Sequence, residues 1–227
     1  LDTFAGAGFH AIAPDALGYG RSSKPEGATF DGSFLVAGLR QFLDALGIEK
    51  AAFVGNAMGA SMAIQLAAES PERVERLVVM APGGIGDIAR YLAMPVIQIM
   101  LRVAHAPEGP TRQNLRELFE ALVLDRSIVT DELVEERYEA AVAQPKRVLA
   151  TLRFEDLAPR LPELRMPLLA LWGRDDGACP LDAGLDIVRA CDTARLVVFA
   201  KCGHWVHAER ATIFNEMCVS FLKEVSR

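Results

Sequence analysis

The sequence predicts an α/β fold with a mostly parallel sheet covered by helices on both faces. Short apolar runs alternate with segments of helical periodicity, the connections between them are short, and the chemistry-bearing residues fall just past the carboxyl ends of the runs. At 227 residues, 51% hydrophobic and 24% charged, the chain is long enough for one sizeable domain with an inserted subdomain. Its formal charge of -6, with Lys and Arg scattered, argues against a nucleic-acid or anionic-membrane partner. No stretch approaches the roughly 20 apolar residues of a membrane span. The most apolar candidate, residues 93–103, is too short and contains Pro95 and Gln98. Cys179, Cys191, Cys202 and Cys218 match no compact disulfide framework, so we expect free thiols and a cytoplasmic setting, and the start of the chain has no signal-peptide pattern.

The chain begins with Leu1, and residues 1–8 read as the end of a helix already under way, so an upstream segment is expected. Residues 9–14 form an apolar run ending at Pro14-Asp15, the pattern of a buried parallel strand. The Gly-rich loop 15–23 lacks the third glycine and the strand-turn-helix context of a dinucleotide site, and it reads equally well as a plain turn. From 30 to 46, Phe34, Leu35, Leu39, Phe42, Leu43 and Leu46 recur at helical spacing, with Gly47 as the stop. Residues 51–54 are the next strand. Residues 57–69 are a helix ended by Ser70-Pro71, and 77–81 a strand closed by Pro82-Gly83-Gly84.

The rhythm then breaks. Residues 85–160 contain no convincing strand and predict four helices, at 88–103, 111–124, 130–143 and 145–156, with Thr111 and Thr130 as N-caps. This gives a core of residues 1–84 and 161–227, with a helical cap at 85–160 inserted after the third strand. The sheet resumes at 168–172, followed by a helix at 182–190, a last strand at 195–200 and a final helix at 210–224.

Three polar features stand at strand ends: Gly55-Asn56-Ala57-Met58-Gly59, Asp175-Asp176 and His204. The two glycines of the first allow a strand to bend abruptly into a helix, the turn that raises a nucleophile, and the chain order is nucleophile position, acid, histidine. With the flanking stretches VGNAMGAS, VVMAPGG, LDRSIVTDELVEERYEA, LALWGRDD before Cys179-Pro180, and VVFAKCGHWVHAE, the chain resembles the α/β-hydrolases over essentially its whole length. Within them it is similar to the meta-cleavage-product hydrolases, which cut a carbon-carbon bond in 2-hydroxy-6-oxo-hexa-2,4-dienoates from bacterial aromatic degradation.

The resemblance implies residue roles. The family pattern Gly-x-x-Asp-x-x-x-Pro matches Gly173, Asp176 and Pro180, which makes Asp176 the triad acid in preference to Asp175, and His204 the base. Met58 would give one oxyanion donor through its backbone N–H; the family's other donor comes from a His-Gly loop that this chain does not contain, in keeping with missing N-terminal strands. Asn56, Arg137 and Trp205 would meet the substrate. Arg137 reads equally as a carboxylate ligand or as half of a helix-surface ion pair, and Trp205 equally as pocket or core. His10, His105 and His207 read as structural or exposed. No cofactor or metal is implied. The partner is a small-molecule substrate, with no nucleic acid, no membrane and self-association left open.

At position 57 this chain departs from the family, which has serine there. Ala57 cannot attack a carbonyl, and it equally excludes the aspartate nucleophile of epoxide hydrolases and dehalogenases. Either the alanine is an engineered substitution in a dienoate hydrolase, or the chain is a non-catalytic binding relative; an esterase or lactonase is the alternative activity. Cys202, His204 and His207 lack a fourth ligand for zinc. A short-chain dehydrogenase would need Lys four residues after a tyrosine, where Tyr19, Tyr91 and Tyr138 are followed by Ser23, Pro95 and Val142.

Overall fold

In the computed structural model, which describes residues 1–107 and 109–224, four strands form one parallel sheet in the order β1 (Ala51–Asn56), β2 (Val74–Met80), β3 (Leu168–Gly173), β4 (Ala194–Phe199). The helices in chain order are α1 (Asp2–Gly6), α2 (Gly32–Ala45), α3 (Met58–Glu69), α4 (Ile88–Leu92), α5 (Pro95–Ala104), α6 (Arg112–Leu122), α7 (Asp131–Ala143), α8 (Lys146–Thr151), α9 (Leu181–Ala190), α10 (Val206–Glu209) and α11 (Ala211–Lys223). Among the described residues no helix is long and apolar enough to cross a membrane.

The period-two alternation of the strands splits the core in two. Leu77 and Val79 of β2, with Leu168, Ala170 and Trp172 of β3, face a cluster containing Leu35 and Val36 of α2, Ile64 and Leu66 of α3 and Ile187 of α9. Val78, Met80, Leu169 and Leu171 point the other way, onto Phe214, Cys218 and Phe221 of α11. Each such fully buried side chain is worth roughly 1.5–3 kcal/mol. The central strands β2 and β3 are covered on both faces, and their carboxyl ends are where the loops of the site converge.

The strand expected at 9–14 is not formed. Those residues are non-helical and join no ladder, because a strand exists only by pairing and the described residues place no strand beside them. For the same reason the outer edge of β1 is open and Val54 is 41% exposed.

Among the described residues between β2 and β3 there are only helical elements, and the helix expected at 88–103 is two. Pro95 interrupts it. Its missing N–H and its clash with the preceding turn end α4, while its fixed φ starts α5 at the first helical position. The helix expected at 145–156 stops at Thr151. Thr111 and Thr130 do cap α6 and α7: the Thr111 hydroxyl accepts from Asn114 N while the Asn114 side chain answers to Thr111 N, and the Thr130 hydroxyl accepts from Leu133 N.

Candidate active site

Ala57 stands between the last residue of β1 and the first of α3 with φ 47° and ψ -116°, a left-handed-side conformation that an L-residue adopts only under constraint. Two contacts impose it. Ala57 N donates to Met80 O at 2.9 Å, tying the turn to the end of β2. A side chain at Gly55 would lie 2.5 Å from the backbone carbon of Gly59, so only glycine lets the strand pass this close to the helix. At Gly59 itself an added Cβ would meet nothing within 4 Å; that glycine matters for the backbone it presents to Gly55. Met58 opens α3, so its N–H belongs to the first helical turn and has no intrahelical acceptor.

Asp176 and His204 meet across the sheet end. His204 Nδ1 is 2.9 Å from Asp176 Oδ2, and both residues are buried. The second carboxylate oxygen, Oδ1, accepts from Ala178 N at 2.7 Å and Cys179 N at 2.9 Å, which fixes the carboxylate plane. Cys179 O in turn accepts from the indole of Trp172. Asp175 points elsewhere, paired with Arg174, whose guanidinium holds its carboxyl below the usual carboxylate range. The Asn56 amide spans the three strand-end segments, donating to Met80 O (3.4 Å) and to His204 O (3.3 Å). The structure therefore brings Asn56, Ala57, Asp176 and His204 together.

It does not bring Arg137 into hydrogen-bond contact with them. Arg137 is exposed on α7 and makes no ion pair with a described carboxylate; the nearby Glu135 pairs with Arg112 at 2.5 and 2.6 Å. Trp205 is half-buried and packs against Phe119 of α6, ring centroids 5.7 Å apart, at the edge of a cluster with Leu115, Val123 and Val134. Both segments flanking the acid and base also touch the helices between β2 and β3: Val96 N of α5 donates to Gly177 O at 3.0 Å, and His204 N donates to Leu122 O of α6 at 2.7 Å.

Two polar residues near the turn were not singled out by sequence reasoning. Ser61, one turn into α3, is buried and donates to Gly83 O at 2.9 Å, fastening the helix to the loop after β2. Tyr91 of α4 is half-buried; a side chain at Gly83 would lie 3.8 Å from its hydroxyl and 3.9 Å from that of Ser61. Burial, with Cys179 and Asp176 adding, pushes the Tyr91 phenol up to about 12, so it stays a neutral donor. Tyr91 lies in an apolar stretch with no motif around it, which is why only the fold reveals its position.

The four cysteines are free and buried. Burial raises every one of the thiols, with Cys202 at about 12 and Cys191 at about 11, so they stay protonated at neutral pH. Among the described residues no group of three or more His, Cys, Asp or Glu is arranged to hold a metal ion. An open cleft between α6 and α7, lined by Arg112, Arg116, Asp131 and Glu135, shares no residue with the strand-end constellation.

The family model for the alpha/beta hydrolase fold matches residues 1–211. The chain belongs to that family. It is 35% identical over 232 residues to the 2-hydroxy-6-oxo-6-phenylhexa-2,4-dienoate hydrolase of Comamonas testosteroni, covering 99% of this chain and 80% of that protein. It is 37% identical over 230 residues to the 2-hydroxy-6-oxononadienedioate/2-hydroxy-6-oxononatrienedioate hydrolase of Paraburkholderia phymatum, covering 98% and 79%. Among solved structures, a serine-to-alanine mutant of the meta-cleavage product hydrolase of Pseudomonas fluorescens IP01, complexed with acetates, superposes with a TM-score of 0.80 at 31% identity, over 94% of this chain and 79% of that one. This α/β-hydrolase is thus related over nearly its whole length to hydrolases of 2-hydroxy-6-oxo-dienoates and of meta-cleavage products.

Proposed function

We propose that the site is built for Ser-His-Asp hydrolysis of a carbon-carbon bond in a meta-cleavage dienoate, and that with Ala57 in place the chain binds such a substrate but barely turns it over. The observation that carries this is the Asp176–His204 hydrogen bond of 2.9 Å beside a turn that keeps a nucleophile's backbone geometry at Ala57. With serine at 57, His204 takes the hydroxyl proton and Asp176 stabilises the imidazolium. His204 also assists ketonisation of the dienol, after which the serine oxygen attacks the C6 carbonyl. The Met58 N–H supports the oxyanion of the tetrahedral intermediate; the C5–C6 bond breaks with its electron pair going to C5, which takes the proton from His204, and water activated by His204 then hydrolyses the acyl-serine. Residues 85–160 act as a cap over the site, Arg137 receives the substrate carboxylate, and Asn56 and Trp205 shape the pocket.

Removing the nucleophile of such an enzyme costs about 10⁶-fold in turnover, on the order of 8 kcal/mol, while the binding groups remain. The Ala57→Ser protein mixed with a yellow dienoate should bleach it about 10⁶ times faster than the Ala57 chain. Rapid cleavage of simple esters with the dienoate colour unchanged would move the assignment to an esterase or lactonase. Ala57 itself favours a second reading, a ligand-binding pseudo-hydrolase. In that case the serine revertant stays inactive towards both substrates while the dienoate still binds.

A further inference from the structure

Glu209, at the end of α10, gathers three backbone N–H groups on one carboxylate. Its Oε1 accepts from Gly203 N at 2.6 Å, and its Oε2 from Leu124 N at 2.9 Å and Asp125 N at 3.1 Å. Gly203 immediately precedes His204. Leu124 and Asp125 follow the end of α6, the same turn whose Leu122 carbonyl accepts from His204 N at 2.7 Å. The consecutive amides of Gly203 and His204 are thereby bolted to the end of α6, one through a carboxylate and one by a carbonyl. The approach is close: a side chain at Gly203 would lie 2.5 Å from Leu122 O and 3.0 Å from Glu209 Oε1.

We propose that Glu209 is a positioning residue for His204, joining the base's loop to the inserted helices so that the imidazole is presented to Asp176 in one orientation. A carboxylate suits this because all its partners are donors; charge-assisted bonds to backbone N–H are short and stiff, and no neutral side chain of the same length offers two acceptor oxygens. Trp205 extends the junction by packing on Phe119 of the same helix. The kinetic consequence rests on the hydrolase reading above; the structural consequence for His204 does not.

Glu209→Gln turns one acceptor oxygen into an amide that faces a backbone N–H, so at most one side of the junction survives. In the Ala57→Ser protein we expect kcat towards the dienoate to fall about 10²-fold with KM little changed, the cost of a misplaced base, and the acid limb of the kcat/KM profile to move. In the Ala57 chain, the imidazole ¹⁵N signals of His204, assigned by their loss in His204→Gln, should change from one tautomer with the proton on Nδ1 to a mixed or broadened set. If Glu209→Gln does not fold, Glu209→Asp keeps the charge but is one methylene too short to hold Gly203 and Leu124 together, and the same spectra should change. Unchanged His204 signals in a folded variant, with or without a lower melting temperature, overturn the proposal. Inertness of Ala57→Ser towards dienoate and esters overturns the hydrolase reading alone, since the spectra still decide the role of Glu209.

Discussion

The two halves of the candidate site are held by different means. The turn at Ala57 owes its shape to backbone: a strained φ of 47°, one hydrogen bond to Met80 O and a glycine that admits the helix at van der Waals distance. The Asp176–His204 half owes its shape to side chains, with one carboxylate oxygen spent on two backbone N–H groups and the other on the imidazole. The first half therefore keeps its geometry with a methyl group, and no hydroxyl, at position 57. The second has no such insurance, because the groups that would do chemistry are the groups that hold the structure.

Asp176→Asn tests that difference most severely. The amide oxygen can keep the bonds from Ala178 N and Cys179 N, which leaves the amide NH₂ facing His204 Nδ1. The ring then accepts at Nδ1 and carries its proton on Nε2, the wrong tautomer for a general base. In the Ala57→Ser background we expect kcat to drop about 10⁴-fold with the thermal midpoint little changed. Retention of kcat within tenfold would show that Asp176 does not orient the base.

The turn half should break through its backbone. Gly55→Ala drives a methyl against the backbone of Gly59 and Ala60 at 2.5–2.6 Å, where no side chain can move aside; we expect a loss of about 3 kcal/mol in urea unfolding. Gly59→Ala adds a methyl with nothing within 4 Å inside a helix, and should be neutral or stabilising by up to about 1 kcal/mol. Equal losses at the two positions would mean that the close approach is not what requires glycine.

How far the sequence revealed these parts follows from how local each cause is. Caps and helix stops depend on neighbouring residues, so Thr111, Thr130 and Gly47 read directly. The parallel sheet is a non-local structure but leaves a local trace in the fully apolar runs of β2 and β3. Residues 9–14 carry the same trace, yet pairing is a property of two segments, and composition cannot tell a run that has a partner from one that lacks it. At Pro95 the local pattern misleads, because the apolar periodicity continues across it although the backbone hydrogen bonds cannot. The choice between Asp175 and Asp176 came from spacing in a family pattern, and the structure places Asp176 against His204. Tyr91 had no motif around it, and Glu209 no local signal for its role, since its partners Leu124 and Asp125 lie 85 and 84 residues away and are brought near only by the fold.

The smallest effect concerns the outer side of the base's loop, where His207 follows Trp205. Packing around the ring, then the proximity of His204 and Arg137, lowers its pKa below the ordinary 6.5 even though part of the residue reaches solvent. Because the folded value is depressed, the unfolded chain takes up a proton first as pH falls. The stability contributed by neutral His207 is complete above pH 6.5 and is lost as pH falls through the folded value. Urea midpoints at pH 7.5 and 5.0 should therefore differ less in His207→Gln than in the parent, by an amount below about 1 kcal/mol because the charges involved are partly screened. An undiminished difference in the variant would clear His207 and move the acid sensitivity to the carboxylates that partners hold below their ordinary range, such as Asp125, Glu135, Asp175 and Glu224.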